Sequence, residues 1–272
     1  QGIQPPHVSL EPGVSKLRIE NVARTFPGVR GGPPTEALQP TTLAVADNDF
    51  IAILGPSGCG KSTLLRIVAG LDSPSAGRVL VDGQAVAAPG ADRGMVFQSY
   101  TLFPWLTVKE NICFGLREKG MGRSEQEAIA ARYLERMGLR GFGEHYPKML
   151  SGGMQQRTAI ARALANDPKI LLLDEPFGAL DNQTRALMQE FLLGIWESER
   201  KTVLFVTHDI DEAIFVASRV VVMSARPGRI KSELKVDLPY PRHYTVKTTP
   251  QFSAYKARLT EEIRVEAIRA GV

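Results

Sequence analysis

A glycine-rich segment in the first quarter of the chain has residue types and spacing that suit phosphate binding. Residues 50–70 read FIAILGPSGCGKSTLLRIVAG and contain the pattern G-x-x-x-x-G-K-[ST], formed by Gly55, Gly60, Lys61 and Ser62. The apolar run before the pattern predicts a strand, and the apolar spacing after it predicts a helix. Glycines let backbone N–H groups approach phosphate oxygens, and a helix start offers further unpaired N–H groups. The segment therefore predicts a nucleoside triphosphate site.

Three side chains of this segment have chemistry of their own. Lys61 supplies a positive charge for the outer phosphates, and the Ser62 hydroxyl can bind Mg²⁺. Cys59 lies inside the loop, so we expect bound nucleotide to shield its thiol from thiol reagents. The alternative interpretation is a purely structural glycine turn between a buried strand and a helix.

Polar residues also follow three other predicted strands, at the points where those strands end. Gln98 follows MVF and His208 follows LFVT, while Asp174 and Glu175 follow ILLL. Ligands of parallel sheets bind at the carboxyl ends of strands, so these side chains are expected to converge on the nucleotide. Asp174 could hold Mg²⁺, and Glu175 could orient and deprotonate the attacking water. Alternatively, the acidic pair caps a helix before Pro176, and Gln98 and His208 have ordinary structural roles.

The elements that must position these residues alternate between strands and helices, which predicts an α/β fold with a parallel sheet. Strands are predicted over 16–22, 41–45, 50–54, 94–98, 169–173, 202–208 and 219–224. Helices are predicted from about residue 61, within 106–141, and over 154–167, 184–200, 209–218 and 252–271. Residues 73–86 predict a hairpin that turns at Asp82 and Gly83. Residues 1–15 predict disorder, residues 24–38 a turn-rich loop, and the tail from about residue 239 a loop before the last helix.

Composition excludes several classes of protein. The chain has 272 residues, of which 43% are hydrophobic and 23% charged, as is usual for soluble globular proteins. No apolar run approaches the roughly 20 residues needed to cross a bilayer, and the N-terminus lacks a signal-peptide pattern. Two cysteines and four histidines lack disulfide or metal-site spacing. The net charge of +4 comes without a dense basic run, so nucleic acid is not an expected partner. We expect a cytoplasmic protein whose membrane role, if any, comes through a partner.

Six motifs, in their order along the chain, resemble the ATP-binding subunit of ABC transporters. They are GPSGCGKST at 55–63, VFQ at 96–98, LSGGMQQR at 150–157, ILLLDEP at 170–176, ALD at 179–181 and VTHD at 206–209. LSGG is the discriminating motif, because other phosphate-loop families lack it. The resemblance covers about residues 16–235. It implies a phosphate-loop NTPase core with a RecA-like parallel sheet, an antiparallel β subdomain and an inserted α-helical subdomain at about 99–155. The cassette would span 16–238, between the disordered segment 1–15 and a C-terminal extension at 239–272.

The resemblance implies a role for each motif residue. The phosphate loop would bind ATP through Gly55, Pro56, Ser57, Gly58, Cys59, Gly60, Lys61, Ser62 and Thr63. Phe26 would stack on the adenine ring. The ligands of Mg²⁺ would be Ser62, Gln98 and Asp174. In catalysis, Lys61 and Gln98 would act on the phosphates and the metal. Glu175 would be the general base, and His208 would hold the γ-phosphate, the water and Glu175 in register.

Other motif residues would act on a second subunit. Ser151, Gly152 and Gly153 would cap the ATP bound to that subunit, and Asp181 would lie at the same interface. ATP would then join two copies head to tail, as a homodimer, and hydrolysis would release them. This cycle would drive integral-membrane permease subunits at the cytoplasmic face of the membrane. A periplasmic or extracellular solute-binding protein would take part indirectly. In the resembled family, the apolar segment 103–106 receives a coupling helix of the permease; alternatively, it packs on the helical subdomain.

Smaller motifs narrow the resemblance further. FPWLTVKENI, PFGALD and SARPGRI resemble importer subunits of the nitrate, sulfonate and taurine group, which implies import of a small anion. A soluble ABC ATPase of DNA repair or translation is the main alternative. Repair types place a long coiled coil between the phosphate loop and LSGG, and residues 64–150 are too short for one. Translation types usually carry two cassettes. Intact Glu175 and His208 argue against a scaffold that does not hydrolyse ATP, whereas an exporter with separate subunits stays open.

Overall fold

The computed structural model describes residues 15–28 and 32–269. The predicted disordered segment 1–15 lies outside the described residues, apart from Ser15, at which the first strand begins. Residues 29–31 of the predicted loop at 24–38 and the last two residues of the predicted C-terminal helix also lie outside them.

Strands and helices alternate through most of the described chain. The strands are β1 Ser15–Phe26, β2 Thr35–Ala46, β3 Phe50–Leu54, β4 Ala76–Val81, β5 Gln84–Ala85, β6 Arg93–Val96, β7 Ile170–Asp174, β8 Thr202–Thr207, β9 Arg219–Met223 and β10 Ile230–Lys235. The α-helices are α1 Lys61–Ala69, α2 Val108–Glu118, α3 Arg123–Arg136, α4 Gly152–Ala165, α5 Asn182–Glu199, α6 Ile210–Val216 and α7 Pro250–Arg269. Short 3₁₀ helices occupy Pro147–Met149 and Tyr244–Thr248.

A six-stranded sheet of order β10-β9-β3-β8-β7-β6 forms the centre of the fold. The five strands from β9 to β6 are parallel, which confirms the predicted α/β fold class, and β10 is antiparallel to β9. Every residue of β3, β7 and β8 is buried. Strands covered on both faces have continuous apolar sequences, which is the pattern that predicts these three. Their carboxyl ends meet at one edge of the sheet.

The two faces of the sheet pack against different layers. On one face, Phe50, Ala52 and Leu54 of β3 join a core built with helices α2 to α7. On the other face, Ile51 and Ile53 pack with α1 and with a second sheet. Successive side chains of a strand point to opposite faces, so one five-residue strand contributes to both cores.

The second sheet is antiparallel, with the order β2-β1-β4-β5. Its β4–β5 hairpin turns at Asp82 and Gly83, as predicted, with φ angles of 48° and 78°. Two adjacent left-handed residues give a turn whose twist matches that of the flanking strands. The predicted loop at 24–38 is shorter than expected, because β1 and β2 extend until Phe26 pairs with Thr35.

Two further differences from the sequence prediction lie at the edges of the central sheet. The strand β10 was not predicted, because its residues are mostly half-buried and do not form an apolar run. The strand β6 ends at Val96, short of the predicted residue 98, and only its last residue is fully buried. An edge strand pairs on one side only, so neither edge requires the continuous apolar sequence of a central strand.

The helices α2 and α3 lie within the predicted helical subdomain at 99–155, and α4 leads from it back into the core. A capping box begins α2: the Thr107 hydroxyl accepts from the Glu110 amide at 3.2 Å, and the Glu110 carboxylate accepts from the Thr107 amide at 2.8 Å. The Thr107 amide lowers the pKa of Glu110. No helix among the described residues combines the length and apolar character needed to cross a membrane.

A buried arginine fastens the C-terminal segment to the core. Arg242 is 4% exposed, and its guanidinium lies 4.0 Å from the centre of the Tyr240 ring. It donates at 2.9, 3.0 and 2.8 Å to three carbonyls at the end of α6, those of Ile214, Phe215 and Ala217. The last carbonyls of a helix have no partner within the helix, so the guanidinium satisfies them and complements the helix dipole.

We expect Arg242→Met to destabilise the fold, because it leaves several buried carbonyls without donors. The free energy of unfolding should fall by about 3 kcal/mol, and the melting temperature by roughly 6–12 °C. Arg264→Met is the matched control, because Arg264 is mainly exposed and, within the described residues, forms an ion pair with Glu261 alone, at 3.6 Å. The control should change the free energy by less than about 0.5 kcal/mol. Equal melting curves for the two variants would contradict the role assigned to Arg242.

Candidate functional site

A cleft of about 230 Å³ lies beside the turn that joins β3 to α1. It is lined by Phe26, Ala37, Ser57, Gly58, Gly60, Lys61, Ser62, Thr63, Glu175 and Arg226. All except Ala37 and Arg226 are predicted site residues. The fold therefore brings the phosphate-loop pattern, the aromatic residue of β1 and one of the two adjacent carboxylates together around one space.

The glycines of the loop are required by its shape. Gly58 and Gly60 have φ angles of 74° and 97°, in the left-handed region that favours glycine. A Cβ atom on Gly60 would also lie 2.7 Å from the Leu38 side chain and 2.9 Å from the Ala37 carbonyl oxygen. The residues directly after Gly60 form the first turn of α1 and line the cleft. The start of a helix is thus directed at the position where a phosphate would bind.

The Lys61 ammonium group is held by the loop itself. Its Nζ atom donates to the carbonyls of Gly55 at 2.8 Å and Pro56 at 2.9 Å, and the residue is 4% exposed. These bonds keep a positive charge at the wall of the cleft. An anion in the cleft could attract the same Nζ atom, because an ammonium group can rotate among several acceptors.

The structure corrects the prediction for Cys59. Cys59 is 1% exposed, and its sulfur packs against Gly55. A Cβ atom added to Gly55 would lie 2.9 Å from the Cys59 sulfur. Burial raises the pKa of the Cys59 thiol. The protein already covers this thiol, so no bound nucleotide is needed to shield it. Only the backbone of Cys59 is available to a ligand.

At the edge of the sheet, Ser62 and Asp174 form a direct pair. The Ser62 hydroxyl donates to Oδ1 of Asp174 at 2.8 Å. Asp174 ends β7 and is 7% exposed, and burial raises its pKa while the Ser62 hydroxyl opposes this effect. Hydroxyl and carboxylate oxygens fit Mg²⁺, which binds few protein ligands and completes its shell with water and phosphate oxygens. The described residues contain no cluster of three or more His, Cys, Asp or Glu side chains that could hold a metal by itself.

Next to this pair, Glu175 and His208 form a second one. Oε2 of Glu175 lies 3.1 Å from Nδ1 of His208. The amide of Glu175 donates to the Val206 carbonyl at 3.0 Å, although its φ of 44° is unfavourable for a side chain other than glycine. Thr207 donates to the buried Glu212 carboxylate at 2.7 Å, which fixes the turn before His208. Hydrogen bonds from β8 and its loop thus hold both members of the pair.

Two predicted residues approach the site from other elements. Phe26 ends β1 and lines the cleft, with the Arg24 guanidinium 4.6 Å from its ring centre. Gln98 is exposed, two residues beyond the end of β6, and is not among the residues that line the cleft within the described chain. Its Nε2 atom packs against Gly178, which lies in the loop that follows Glu175. A Cβ atom added to Gly178 would lie 3.3 Å from that nitrogen.

The LSGG residues lie apart from this cleft, at the start of α4. Ser151 caps the helix by accepting from the Met154 amide at 3.3 Å. Gly152 packs close to Leu180, which would lie 3.2 Å from a Cβ atom at that position. Gly153 packs closely against α5. A Cβ atom added to Gly153 would lie 3.1 Å from the Thr184 side chain. No residue of this group lines the cleft in the described part of the chain.

Asp181 caps α5 beside the LSGG residues. Its carboxylate accepts from the amides of Gln183 and Thr184 at 3.0 Å each, and from the Thr184 hydroxyl at 2.6 Å. The Thr184 hydroxyl and these amides lower the pKa of Asp181. The contacts between α4 and α5 place Asp181 and the LSGG residues in a second cluster, separate from the phosphate loop.

Sequence reasoning missed two functional candidates. Arg226 lines the cleft from the loop after β9, and Glu212 fixes the turn at His208. The strand β9 is the parallel neighbour of β3, so Arg226 lies beyond a carboxyl end that adjoins the phosphate loop. The rule that identified Gln98 and His208 could have identified Arg226 too.

Comparisons with known proteins agree with this geometry. The family model described as ABC transporter matches residues 38–178. The nitrate import ATP-binding protein of Synechocystis sp. is 48% identical over 91% of this chain and 95% of its own length. The aliphatic sulfonates import ATP-binding protein of Bacillus cereus is 47% identical over 84% of this chain and 88% of its own length.

A solved structure supports the same assignment. A dimeric ATP-binding cassette in a post-hydrolysis state, bound to ADP and Pi, has a TM-score of 0.72 and 36% identity. The match covers 82% of this chain and 100% of that one. The alternative of a DNA-repair or translation ATPase is not favoured, because the relatives from Synechocystis sp. and Bacillus cereus are both named as import proteins. This chain belongs to the ABC transporter family, as an ATP-binding subunit that hydrolyses ATP.

Proposed function

We propose that this chain drives the import of a small anion, such as nitrate, a sulfonate or taurine, by hydrolysing ATP in a dimer bound to permease subunits. The nitrate and sulfonate import relatives support the solute class. One observation carries the hydrolytic part of the proposal. Two side-chain pairs, Ser62 with Asp174 and Glu175 with His208, stand at the strand ends beside the phosphate loop.

ATP would enter the cleft with its base near Phe26 and its phosphates on the loop. The base would stack on the Phe26 ring, which lines the cleft beside the loop. Backbone N–H groups of residues 57–63 and the positive end of α1 would hold the phosphates. Lys61 would exchange the carbonyls of Gly55 and Pro56 for phosphate oxygens. This exchange replaces neutral acceptors by charged ones, which form stronger bonds.

Mg²⁺ would be held by the Ser62 hydroxyl, with Asp174 and Gln98 as further oxygen ligands. When bound, the ion neutralises charge on the phosphates and so favours attack at the γ-phosphorus. Asp174 is already positioned by its bond to Ser62. Gln98 would have to move from its place near Gly178, where its side chain is exposed.

Glu175 would orient the attacking water and accept its proton. The carboxylate lines the cleft, and His208 holds one of its oxygens. His208 would also donate to the γ-phosphate and so keep the water, the base and the phosphate in register. The bond from the Glu175 amide to the Val206 carbonyl ties the position of the base to the central sheet.

The position of the LSGG cluster supports the dimer. Ser151, Gly152 and Gly153 lie outside their own chain's cleft, so their helix start would serve the nucleotide of a second copy. Asp181 would lie at the same interface. The related cassette with ADP and Pi is described as a dimer. In a head-to-tail arrangement, ATP would join the two copies, and hydrolysis would release them.

The variant Glu175→Gln tests the catalytic assignment. It should still bind MgATP, because the amide keeps the size of the side chain. Its turnover should fall by at least about 100-fold, because the general base is lost. An ATP-bound dimer should accumulate, measured by light scattering after size-exclusion chromatography.

Two comparison variants sharpen this test. Asp174→Asn should weaken MgATP binding itself, because it removes a charged oxygen ligand. Glu261→Gln, on the exposed face of α7, should behave as the wild type in both assays. Normal turnover in Glu175→Gln would remove Glu175 as the base.

A large groove supports the proposed attachment to a permease. It has a volume of about 730 Å³ and is mainly apolar where β6, α2 and the segment 97–103 meet. The Phe103 and Phe114 rings, 4.4 Å apart, form part of its wall, and Trp105 beside it is 70% exposed. A large exposed aromatic residue next to an apolar groove is typical of a protein contact. We propose that a cytoplasmic helix of the permease binds here, which would hold this chain at the cytoplasmic face of the membrane.

The groove is built on a rigid support. Asn111 on α2 is fully buried. Its side-chain NH₂ group donates to the carbonyls of Phe103 at 3.2 Å and Leu106 at 3.1 Å, and its side-chain oxygen accepts from the Phe103 amide at 2.9 Å. On the other side, the Arg162 guanidinium lies 5.3 Å from the Phe103 ring centre and donates to the Thr101 carbonyl at 2.8 Å. The same segment contains Gln98, so a helix in the groove could influence the metal site.

The variant Trp105→Asp tests this surface. After tagged purification from detergent-solubilised native membranes, the wild type should recover a multi-spanning membrane protein identified by mass spectrometry. Trp105→Asp should recover much less of it, because a charge replaces an apolar contact, and its ATPase activity without membranes should be unchanged. Ile268→Asp is the matched control, since Ile268 is 62% exposed on α7, away from the groove. Equal recovery by both variants would contradict the proposed surface, and recovery of soluble partners alone would contradict the transport function.

A further inference from the structure

The cleft contains a second cationic side chain for which the motifs assign no role. Among the described residues, Arg226 and Lys61 are the cationic ones that line it, and Glu175 is the anionic one. Lys61 is bonded to carbonyls of its own loop, whereas Arg226 is exposed and lines the cleft from the loop after β9. A guanidinium group binds phosphate oxygens through two parallel N–H donors. The charge of Arg226 is therefore available to an anion in the cleft.

The loop that carries Arg226 is fixed against the phosphate loop. The Gly228 amide donates to the Ala37 carbonyl at 3.0 Å, and the Gly228 carbonyl accepts from the Gln39 amide at 2.9 Å. A Cβ atom on Gly228 would lie 1.8 Å from the Cys59 carbonyl oxygen, so its backbone packs directly on the phosphate loop. Only glycine permits so close an approach. The loop is thus held to β2 and to the phosphate loop on its C-terminal side.

On its N-terminal side, the same loop is held by the C-terminal helix α7. The Glu266 carboxylate accepts from the Ala225 amide at 2.9 Å, one residue before Arg226. Glu266 is 1% exposed and forms ion pairs with Lys231 at 3.0 Å and Arg269 at 3.1 Å. A buried carboxylate with these partners has little freedom to move. Its hydrogen bond to the Ala225 amide therefore fixes the position of the backbone that carries the Arg226 side chain.

We propose that Arg226 binds the phosphate chain of the nucleotide and that Glu266 is a positioning residue that holds the Arg226 loop from α7. This inference rests on the proposed nucleotide binding in the cleft. It assigns the C-terminal extension a part in nucleotide affinity, through one hydrogen bond to the backbone of the loop.

The variant Arg226→Gln tests the phosphate contact. Its dissociation constant for MgATP, measured by isothermal titration calorimetry, should rise about 10-fold, because a charge-assisted bond is lost. Adenosine, which lacks phosphates, should bind the variant as it binds the wild type, measured by competition. Arg229→Gln is the matched control, because Arg229 is exposed in the same loop but does not line the cleft. An unchanged constant for MgATP in Arg226→Gln, or an equal loss for adenosine, would overturn the assignment.

A double-mutant cycle tests the positioning role of Glu266. Introduced into the wild-type chain, Glu266→Ala should weaken MgATP binding. Introduced into Arg226→Gln, it should cause no further loss of affinity, because Glu266 acts through Arg226. Glu266→Gln, which keeps an oxygen acceptor for the Ala225 amide, should restore most of the affinity. If Glu266 did not act through Arg226, the two substitutions would cause independent, additive losses of affinity, which would overturn the proposal.

A third variant separates failure of this inference from failure of the proposed function. Lys61→Ala should abolish MgATP binding if the cleft is the nucleotide site. If it does so while the Arg226 and Glu266 variants bind as the wild type, this inference is wrong and the nucleotide site stands. If the wild-type protein itself fails to bind MgATP, the proposed function and this inference are both wrong.

Discussion

Burial of β3 between two packed layers is the constraint on which the rest of the structure depends. The phosphate loop can leave its backbone N–H groups free for a ligand only if the strand before it cannot move. All five residues of β3 are buried, and they alternate between two separate cores. Its parallel partners hold it on both sides: β8 pairs with it from Phe50 to Leu54, and β9 from Ile51 to Leu54. The loop thus begins from one of the most restrained points of the fold.

The same edge of the sheet gathers opposite charges. Lys61 and Arg226 line the cleft together with Glu175, and Asp174 is bonded to Ser62 beside them. Burial raises the pKa of Asp174, so holding its carboxylate charged costs free energy that cations nearby would offset. A nucleotide with its metal brings charge of both signs and can satisfy the cationic and acidic side chains together. We therefore regard ligand binding as the step that completes the electrostatic balance of this edge.

The sequence predicts the centre of the fold better than its edges. Continuous apolar runs identify β3, β7 and β8, because strands covered on both faces need apolar side chains at every position. The strands β6 and β10 have a free edge and half-buried residues, so their sequences lack that run, and tertiary pairing decides their extent. Among site residues, a motif identifies those whose spacing is fixed by local chemistry, such as Lys61 and Ser62. Arg226 reaches the cleft only because β9 pairs beside β3, and the burial of Cys59 depends on packing that spacing does not reveal.

The glycines of LSGG suggest why the proposed dimer would be reversible. Gly152 and Gly153 have no side chains to bury at an interface, and Ser151 already uses its hydroxyl to cap α4. This helix start can therefore attract a second copy mainly through backbone N–H groups directed at negative charge. Such an attraction grows with the charge of the bound phosphates and weakens when the γ-phosphate leaves. An interface built on large apolar side chains would persist after hydrolysis, whereas one that depends on the phosphates of the nucleotide opens when they change.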